Sequence, residues 1–385
     1  RRLESAPGRT GLLSTPHGDI RTPAFIPVGT KATVKAVLPE AMSELGAQAL
    51  LANAYHLYLQ PGADIVAEAG GLGRFMNWPG PTFTDSGGFQ VLSLGAGFKK
   101  TLAMDAKGVT SDDVIAPGKD RLAVVDDEGV TFRSHLDGST HRFTPEVSMQ
   151  IQHQLGADVI FAFDELTTLM NSRDYQEKSV ARTQAWAERC IAEHRRLEST
   201  QLLFGVVQGA QHEDLRRQAA RGIATLGFDG YGIGGAIEKE SLDQIVGWVV
   251  EELPEDRPRH LLGIGEPDDL FMAVEQGCDT FDCVQPSRVA RGSRVYTARG
   301  RHNLLVAASR RQFEPIEDGC DCYTCQHYTV AYLHHLFKAK EYLGATLATI
   351  HNERFVVRLV DDMRAAIDAG DFAAMKTEFL GGYSV

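Results

Sequence analysis

Eight short apolar runs, each ending in a polar or glycine-rich turn, constrain the fold of this chain more than any other feature of its sequence. Runs of this length and composition are typical of buried β-strands, and most of the stretches between them have helical periodicity. In chain order the runs are residues 24–29, 49–53, 82–85, 159–164, 202–208, 231–235, 260–265 and 280–284. Buried strands that alternate with helices predict an α/β fold, and eight of them predict a (β/α)8 TIM barrel.

An open, doubly wound sheet is the main alternative to the barrel, because it is also built from alternating strands and helices. Sheets of that kind that bind dinucleotides carry a Gly-x-Gly-x-x-Gly turn before the first helix, and no such turn opens the first helix here. The predicted helices are residues 39–45, 175–197, 213–226, 241–253 and 267–276. The sequence therefore favours the barrel.

The third connection, residues 87–145, is much longer than the others. Its polar, charge-rich part, residues 97–128, precedes a predicted hairpin at residues 129–143. Long connections in compact domains usually lie on the surface and often carry function. We interpret residues 91–146 as an insertion at the mouth of the barrel, although the sequence predicts no purpose for residues 97–128.

Three cysteines within six residues, Cys320, Cys322 and Cys325, predict a zinc site. Three thiolates and one imidazole suit Zn²⁺, and four protein ligands leave no position for water, so the site should be structural. The alternative is a cluster of reduced surface cysteines without a metal. Candidates for the fourth ligand are His327, His334, His335 and His351. His334 and His335 lie in an amphipathic helical run, residues 331–343, so the spacing alone leaves the fourth ligand open.

The charge of the chain is unevenly distributed. Its net charge of −12, from 39 basic and 51 acidic residues, argues against a protein whose whole surface binds polyanions. Residues 284–312, however, contain no acid and seven arginines: Arg288, Arg291, Arg294, Arg299, Arg301, Arg310 and Arg311. This stretch predicts a local face that binds phosphate groups.

The sequence also indicates where the protein resides. The other cysteines, Cys190, Cys278 and Cys283, have no spacing that suggests pairing, and a chain of 385 residues can bury a core without disulfides. No apolar run reaches the length of a membrane span, and residues 1–11 lack the core of a signal peptide. We therefore expect a cytoplasmic protein without a membrane segment.

Polar residues close several of the predicted strands, at the barrel end where active sites are built. Three are carboxylates, Asp85, Asp164 and Asp282, and they are joined by Gln208 and a Gly234-Gly235 turn. Each Asp taken alone could instead cap the helix that follows it. Two carboxylates that face a glycosidic carbon can perform a retaining double displacement, with one as nucleophile and the other moving a proton. A third carboxylate with an amide can bind the edge of a purine.

Five separated motifs resemble, in order, those of the tRNA-guanine transglycosylases, also called queuine tRNA-ribosyltransferases, of bacterial type. The motifs are Thr84-Asp-Ser-Gly-Gly-Phe-Gln90, Ser134-His-Leu-Asp-Gly-Ser139, Phe163-Asp-Glu165, Phe281-Asp-Cys-Val284 and the set Cys320, Cys322, Cys325 and His351. The resemblance covers the chain from about Gly11 to its end. It implies an enzyme with one structural zinc per chain, which exchanges guanine at the wobble position of a tRNA anticodon for a 7-deazaguanine base.

The resemblance also implies roles for individual residues. Asp282 is the nucleophile that attacks the ribose C1′ and forms a covalent tRNA intermediate, and Asp85 is the general acid/base. Asp164, Gln208 and Gly235 line the base pocket.

Further roles implied by the resemblance concern stacking, tRNA binding and assembly. Phe89 and Leu262 sandwich the base, although many relatives have Tyr and Met at these two places. Arg288 and Arg291 hold the uridines of the anticodon. His351 completes the metal ligands, and the family's members are commonly homodimers around the zinc region.

Two departures from the bacterial pattern concern the substituent of the incoming base. Leu166 follows Asp-Glu where bacterial relatives usually have Cys, and users of free queuine tend to have an aliphatic residue there. The turn after the glycine pair reads Ala236-Ile237, whereas queuine users often have glycine there, so Ile237 would narrow the space. The base is therefore 7-aminomethyl-7-deazaguanine or queuine, and the sequence does not distinguish them.

We expect three parts: a barrel at residues 1–308, a zinc-binding subdomain at residues 309–352, and a C-terminal helical part at residues 353–385 that packs on the barrel. Two other functions remain open at this point. A non-catalytic tRNA-binding subunit of the same family would keep the zinc but lose the acids, and both Asp85 and Asp282 are present. A retaining barrel glycosidase would need neither the zinc site nor the arginines.

Overall fold

A computed structural model of the chain describes residues 1–95 and 123–384. Most of the predicted segment 97–128 therefore lies outside the described residues. Within the described residues the strands are β1 (Gly11–Thr15), β2 (Gly18–Thr22), β3 (Ala24–Pro27), β4 (Leu50–Ala52), β5 (Thr82–Thr84), β6 (Ala123–Asp126), β7 (Gly129–Arg133), β8 (Thr140–Phe143), β9 (Val159–Phe161), β10 (Leu202–Val207), β11 (Gly230–Ile233), β12 (Arg259–Leu261), β13 (Thr280–Cys283), β14 (Arg294–Thr297) and β15 (Gly300–Asn303).

The five helices predicted between the strands are each present within three residues of their predicted bounds. The described residues form these and several further helices. They are α1 (Pro39–Glu44), α2 (Ala54–Leu59), α3 (Ala63–Glu68), α4 (Leu72–Phe75), α5 (Gly88–Gly95), α6 (Pro145–Leu155), α7 (Arg173–Arg196), α8 (Glu213–Ala224), α9 (Leu242–Val250), α10 (Pro267–Glu275), α11 (Gln285–Arg291), α12 (Tyr323–His327), α13 (Val330–Ala339), α14 (Tyr342–Ala369) and α15 (Phe372–Gly382). None of these described helices is long and apolar enough to cross a membrane.

Eight strands form one parallel sheet, in the order β3-β13-β12-β11-β10-β9-β5-β4. The two end strands of this order are joined by a parallel bridge between Val28 and Leu51, where the Gly29 N–H donates to the Leu51 carbonyl at 2.7 Å. Sequential strand order with joined ends is that of a nearly closed (β/α)8 barrel and not of a doubly wound sheet. The predicted fold class is confirmed, and each of the eight apolar runs overlaps one strand of this sheet.

The described residues group into two compact units. We name the first the pocket unit (Ala52–Phe75 and Thr82–Leu262) and the second the cysteine unit (Arg1–Leu51, Met76–Pro81 and Gly263–Val385). The core of the pocket unit includes Trp186 of α7, which is fully buried and stacks on Phe163 with ring centroids 5.0 Å apart. Burial of a large aromatic pair of this kind contributes several kcal/mol, about 2 or more for each side chain.

The predicted hairpin at residues 129–143 is present in the pocket unit as β7 and β8. An additional strand, β6, pairs with β7 and makes a three-stranded antiparallel sheet. The Trp186 indole N–H donates to the Asp127 carbonyl at 2.7 Å, which ties the β6–β7 turn to α7. This sheet is therefore anchored in the unit although it lies at the end of the long connection.

In the cysteine unit one 28-residue helix, α14, crosses the region where the sequence suggests a boundary at residue 352. The C-terminal helical part predicted at residues 353–385 begins earlier in the structure, because α14 begins at Tyr342 and includes His351. The preceding helix, α13, ends because Lys340 adopts a left-handed conformation with φ of 59°. No glycine or proline marks this break, so the sequence pattern runs α13 on to Leu343 and misses the start of α14.

Candidate functional site

Asp164 follows strand β9 of the pocket unit and is held by two side chains. Its Oδ1 accepts from the Ser86 hydroxyl at 3.1 Å, and its Oδ2 accepts from Gln208 Nε2 at 2.6 Å. Burial raises the pKa of the Asp164 carboxyl to about 6, although both hydrogen bonds oppose this shift. The carboxyl is therefore mostly ionised at neutral pH, in a place where a negative charge is costly.

The neighbouring acid, Glu165, makes a different set of contacts. Its Oε1 accepts from the Tyr175 hydroxyl at 2.6 Å, and its Oε2 pairs with Arg182 Nη1 at 2.5 Å. Glu165 is 1% exposed, so this ion pair is buried and its removal would leave an uncompensated charge. Within the Phe163-Asp-Glu165 motif, Asp164 is thus available to a ligand and Glu165 is structural.

Glycines let the backbone approach the Asp164–Gln208 pair closely. A Cβ on Gly88 would stand 2.8 Å from the Asp164 carbonyl oxygen. A Cβ on Gly234 would stand 3.0 Å from Gln208 Nε2 and 3.4 Å from Leu262 Cδ1. The structure therefore brings four of the predicted base-binding residues to one place at the ends of β9, β10, β11 and β12: Asp164, Gln208, Gly235 and Leu262.

The remaining predicted base-binding residues lie on neighbouring segments of the same unit. Leu166 and Ala236 are buried, at 9% and 8% exposure, in the segments that follow Asp164 and Gly235. Phe89 lies in the first turn of α5 and is 49% exposed. An exposed aromatic ring offers a face on which a nucleic-acid base can stack.

Asp85 follows β5 and faces the N-terminus of α2. Its Oδ1 accepts from the Ala54 backbone N–H at 2.8 Å, and its Oδ2 accepts from Asn53 Nδ2 at 2.5 Å. The capping alternative concerned the helix that follows Asp85, whereas the carboxylate satisfies a backbone donor at the start of the earlier helix α2. A half-buried carboxylate fixed by two donors is also suited to moving a proton at a defined position.

Asp282, in the cysteine unit, is the third residue of β13 and is half-buried. Its Oδ1 accepts from the Gly263 backbone N–H at 3.1 Å. Helix α11 begins three residues later and carries Arg288, which is exposed, and Arg291, which is half-buried. One carboxylate at a strand end is thus followed directly by two cations on one short helix.

The four predicted metal ligands lie together in the cysteine unit. The ligand atoms of Cys320, Cys322, Cys325 and His351 are all buried and within 4.8 Å of one another. The His351 Nδ1 lies 3.8, 3.6 and 3.3 Å from the three sulfurs in that order. Ligands of one tetrahedral zinc are about 3.5 Å apart, so the set fits this ion.

A hydrogen bond fixes which imidazole nitrogen faces the sulfurs. The His351 Nε2 lies 2.7 Å from the Tyr296 carbonyl oxygen, which can only accept, so Nε2 carries the proton and Nδ1 is the free ligand atom. His334, a nearer candidate in sequence, instead uses its Nδ1 for the Leu304 carbonyl at 2.8 Å. The structure therefore selects His351 from the four histidines that the spacing left open.

Comparison with known proteins agrees with this arrangement. A family model described as "Queuine tRNA-ribosyltransferase" matches residues 4–384. The chain belongs to this family. A queuine tRNA-ribosyltransferase of Symbiobacterium thermophilum is 48% identical over 99% of this chain and 89% of its own length. Similar proteins of the same description occur in Moorella thermoacetica, with 46% identity over 100% of this chain and 96% of the relative, and in Pelotomaculum thermopropionicum, with 45% over 99% and 96%.

Family membership confirms the resemblance on which the enzyme prediction was based, and it removes the reason to consider a barrel glycosidase of another family. Three residues that contact the site in this queuine tRNA-ribosyltransferase fold were missed by the sequence analysis: Asn53, Ser86 and Arg216. Asn53 ends a predicted strand and Ser86 lies inside one of the five motifs, so the position of each in the sequence was sufficient to predict a role in the site. Arg216 lies on the apolar face of α8, and nothing in the sequence distinguishes it from a surface arginine.

Proposed function

We propose that this protein exchanges guanine at the wobble position of a tRNA anticodon for a 7-deazaguanine base, in queuosine modification. The observation that supports the proposal most is the pairing of Asp164 with Gln208. A carboxylate can accept from the N1–H and the 2-amino group of a guanine-type base, while an amide N–H can donate to its 6-oxo group. This pattern is complementary to guanine and to 7-deazaguanines and does not suit adenine.

The reaction follows from two carboxylates in different roles. Asp282 attacks the ribose C1′ as its carboxylate, which needs no prior deprotonation, and the bond from C1′ to guanine N9 breaks as a C1′–O bond forms. Asp85 donates a proton to the departing guanine and accepts one from the incoming base. The incoming base then attacks C1′ and releases Asp282, so two inversions retain the configuration of the sugar.

The cysteine cluster holds one Zn²⁺, which stabilises the fold and takes no part in the chemistry because its four protein ligands leave no open position. We place the zinc-binding subdomain at residues 309–352. Its final ligand, His351, lies on α14, which packs against α11. Binding of the metal therefore stabilises the same helix pair that includes the predicted tRNA-binding arginines.

Exposed arginines in the cysteine unit support tRNA binding. Five of them have no acidic partner in the part of the chain that the structure describes: Arg288, Arg294, Arg299, Arg310 and Arg311. Arg301, by contrast, pairs with Glu266, and its Cζ lies 5.7 Å from the centroid of the Tyr296 ring. Unpaired cations release counterions when they meet phosphates, so binding to tRNA should weaken as salt rises.

We further propose a cytoplasmic homodimer formed by the zinc-binding region. Tyr323 and Tyr332 are 51% and 39% exposed, and Tyr328 stacks on Tyr332 with ring centroids 5.5 Å apart. Exposed aromatic clusters are enriched in interfaces between subunits. Light scattering should give twice the chain mass for the parent, and Tyr332→Glu should shift the mass toward the monomer.

The decisive experiment is base exchange on tRNA that carries labelled guanine at the wobble position, with 7-aminomethyl-7-deazaguanine and queuine offered separately. The parent should release the label with at least one of the two bases. A tRNA with adenine at that position serves as the control. Failure to release label with either base, from protein that binds the tRNA, would contradict the proposed function.

A further inference from the structure

Arg216 is a fully buried cation beside the Asp164–Gln208 pair, and its contacts are main-chain carbonyls. Its Nε donates to Ala210 O at 2.7 Å, and its Nη1 donates to Gly234 O at 2.6 Å and to Val207 O at 3.2 Å. Among the described residues no acid pairs with it. Burial lowers the pKa of this guanidinium to about 9, so it remains charged at neutral pH.

Two glycine turns are built around this side chain. Gly209 has φ of 133°, and a Cβ there would stand 2.8 Å from the Arg216 backbone nitrogen. Gly235 has φ of 121°, and its Cβ would stand 2.6 Å from Arg216 Nη2. The ends of β10 and β11 therefore keep their positions only with glycine at both turns and the arginine between them.

Two polar atoms face the same spot beside Gly235. The Arg216 Nη2 and the Gln208 Oε1 both lie within 3.2 Å of the point that a Cβ on Gly235 would occupy. Neither atom has a hydrogen-bond partner within residues 1–95 and 123–384, although both side chains are at least 98% buried. An unsatisfied donor and an unsatisfied acceptor therefore lie beside the same glycine.

The amide of Gln208 thus stands between two groups of opposite character. The ionised Asp164 carboxyl can only accept, and Gln208 Nε2 donates to it at 2.6 Å. A guanidinium can only donate, so it attracts Oε1 and repels the NH₂ group. A flipped amide would set its oxygen against Asp164 and its NH₂ against Arg216, and both contacts would be repulsive.

We propose that Arg216 is a positioning residue that fixes the orientation of the Gln208 amide, so that an N–H donor and not an oxygen faces position 6 of the bound base. The inference rests on the proposed function, because it assumes that the Asp164–Gln208 pair receives a guanine-type base. Its consequence is a preference for bases with a strong acceptor at position 6, set by a residue that does not touch the base.

The test compares the affinities of guanine and 6-thioguanine, which keeps the N1–H and the 2-amino group but has a weaker acceptor at position 6. Dissociation constants are measured by calorimetry at pH 8 for the parent, Arg216→Met, Arg216→Lys and Arg217→Met. Arg217 is the matched control, because it is the next residue of α8 but pairs with Glu213, Glu251 and Glu252 at the surface. Thermal unfolding and metal content report whether each variant is folded.

We expect the parent and Arg217→Met to prefer guanine by roughly tenfold, the order of one buried hydrogen bond, and Arg216→Met to show a smaller preference, because Asp164 alone then orients the amide. Arg216→Lys keeps the charge and should fold if Arg216→Met does not; its ratio should fall between these values. In a Gln208→Met background, Arg216→Lys should leave the ratio unchanged, because Arg216 acts through Gln208.

A merely structural role would lower both affinities together and leave the ratio as in the parent. Folded Arg216→Met or Arg216→Lys protein with the parent's ratio would overturn the inference, while the parent's base exchange would still stand. A parent that exchanges no base on tRNA would overturn the proposed function and the inference with it.

Discussion

Replacement of Asp164 by Asn should make the folded protein more stable at pH 8 while it abolishes base exchange. The carboxyl is buried with Ser86 and Gln208 as neutral donors, and no cation compensates its charge among the contacts that raise or lower its pKa. A buried negative charge that serves to bind a ligand lowers the stability of the folded protein while no ligand is bound. Asparagine removes the charge and keeps the shape.

The magnitude follows from the shift of the pKa from 3.8 to about 6. This shift corresponds to a cost of about 3 kcal/mol for the ionised carboxyl in the folded state. Because the folded pKa lies above the unfolded value, the cost is complete above pH 6 and disappears as the pH falls below about 4. Asparagine leaves one donor unpaired, at about 1–2 kcal/mol at any pH, so the net gain at pH 8 is about 1–2 kcal/mol.

The assay is thermal unfolding of parent and Asp164→Asn at pH 8 and pH 4.5. Between these pH values the stability difference should change by about 2 kcal/mol, which for 385 residues is roughly 2 to 3 °C in Tm. Asp137→Asn is the control of opposite sign, because hydrogen bonds from Ser139 lower the pKa of Asp137 to about 2. Stability from Asp137 is fully present above about pH 4 and is lost only as the pH falls from there toward 2, so Asp137→Asn should destabilise the protein equally at pH 8 and pH 4.5. A stability difference for Asp164→Asn that is equal at both pH values would refute the reasoning.

Three further substitutions test the other parts of the site. Asp282→Asn should keep tRNA binding but lose exchange, and a denaturing gel should show a covalent tRNA adduct for the parent and none for the variant. Cys322→Ala, or a strong chelator, should remove about one zinc per chain, which metal analysis measures. Loss of the metal should unfold the zinc-binding region and not merely slow the reaction, so folded and active protein without zinc would contradict a structural role. Leu166→Cys should shift the ratio of kcat/KM toward 7-aminomethyl-7-deazaguanine by roughly tenfold, and an unchanged ratio would direct attention to Ile237.

Periodicity predicted the barrel well because its strands are buried on both faces. Each strand then appears in the sequence as a continuous apolar run, and the polar residue that ends the run lies at the end of the barrel where ligands bind. Asp85, Asp164 and Asp282 were found in this way. The three cysteine ligands could be predicted equally well, because their spacing in the sequence reflects the geometry of a metal site.

The parts that could not be predicted depend on contacts between distant segments. The start of α14 follows the left-handed conformation of Lys340, which is uncommon for a residue other than glycine and has no signal in the local sequence. Arg216 is buried because two glycine turns and three carbonyl groups surround it, and no local pattern records that set of partners. The selection of His351 over nearer histidines likewise depends on the Tyr296 carbonyl, 55 residues away in the chain.

The adjacent acids Asp164 and Glu165 show why residue type alone does not assign function. Both acids lie in the segment that follows β9, but Asp164 contacts Gln208 at the end of β10, whereas Glu165 contacts helix α7. Glu165 meets Arg182 and Tyr175 there, and its charge is compensated within the fold. Asp164 accepts from the neutral donors Ser86 and Gln208, and the buried cation Arg216 donates to carbonyl groups. Because the fold leaves the charge of Asp164 uncompensated, this carboxylate can bind a ligand that offers two N–H donors. Only the hydrogen-bond and ion-pair partners of the two acids, and not their residue type, reveal this difference.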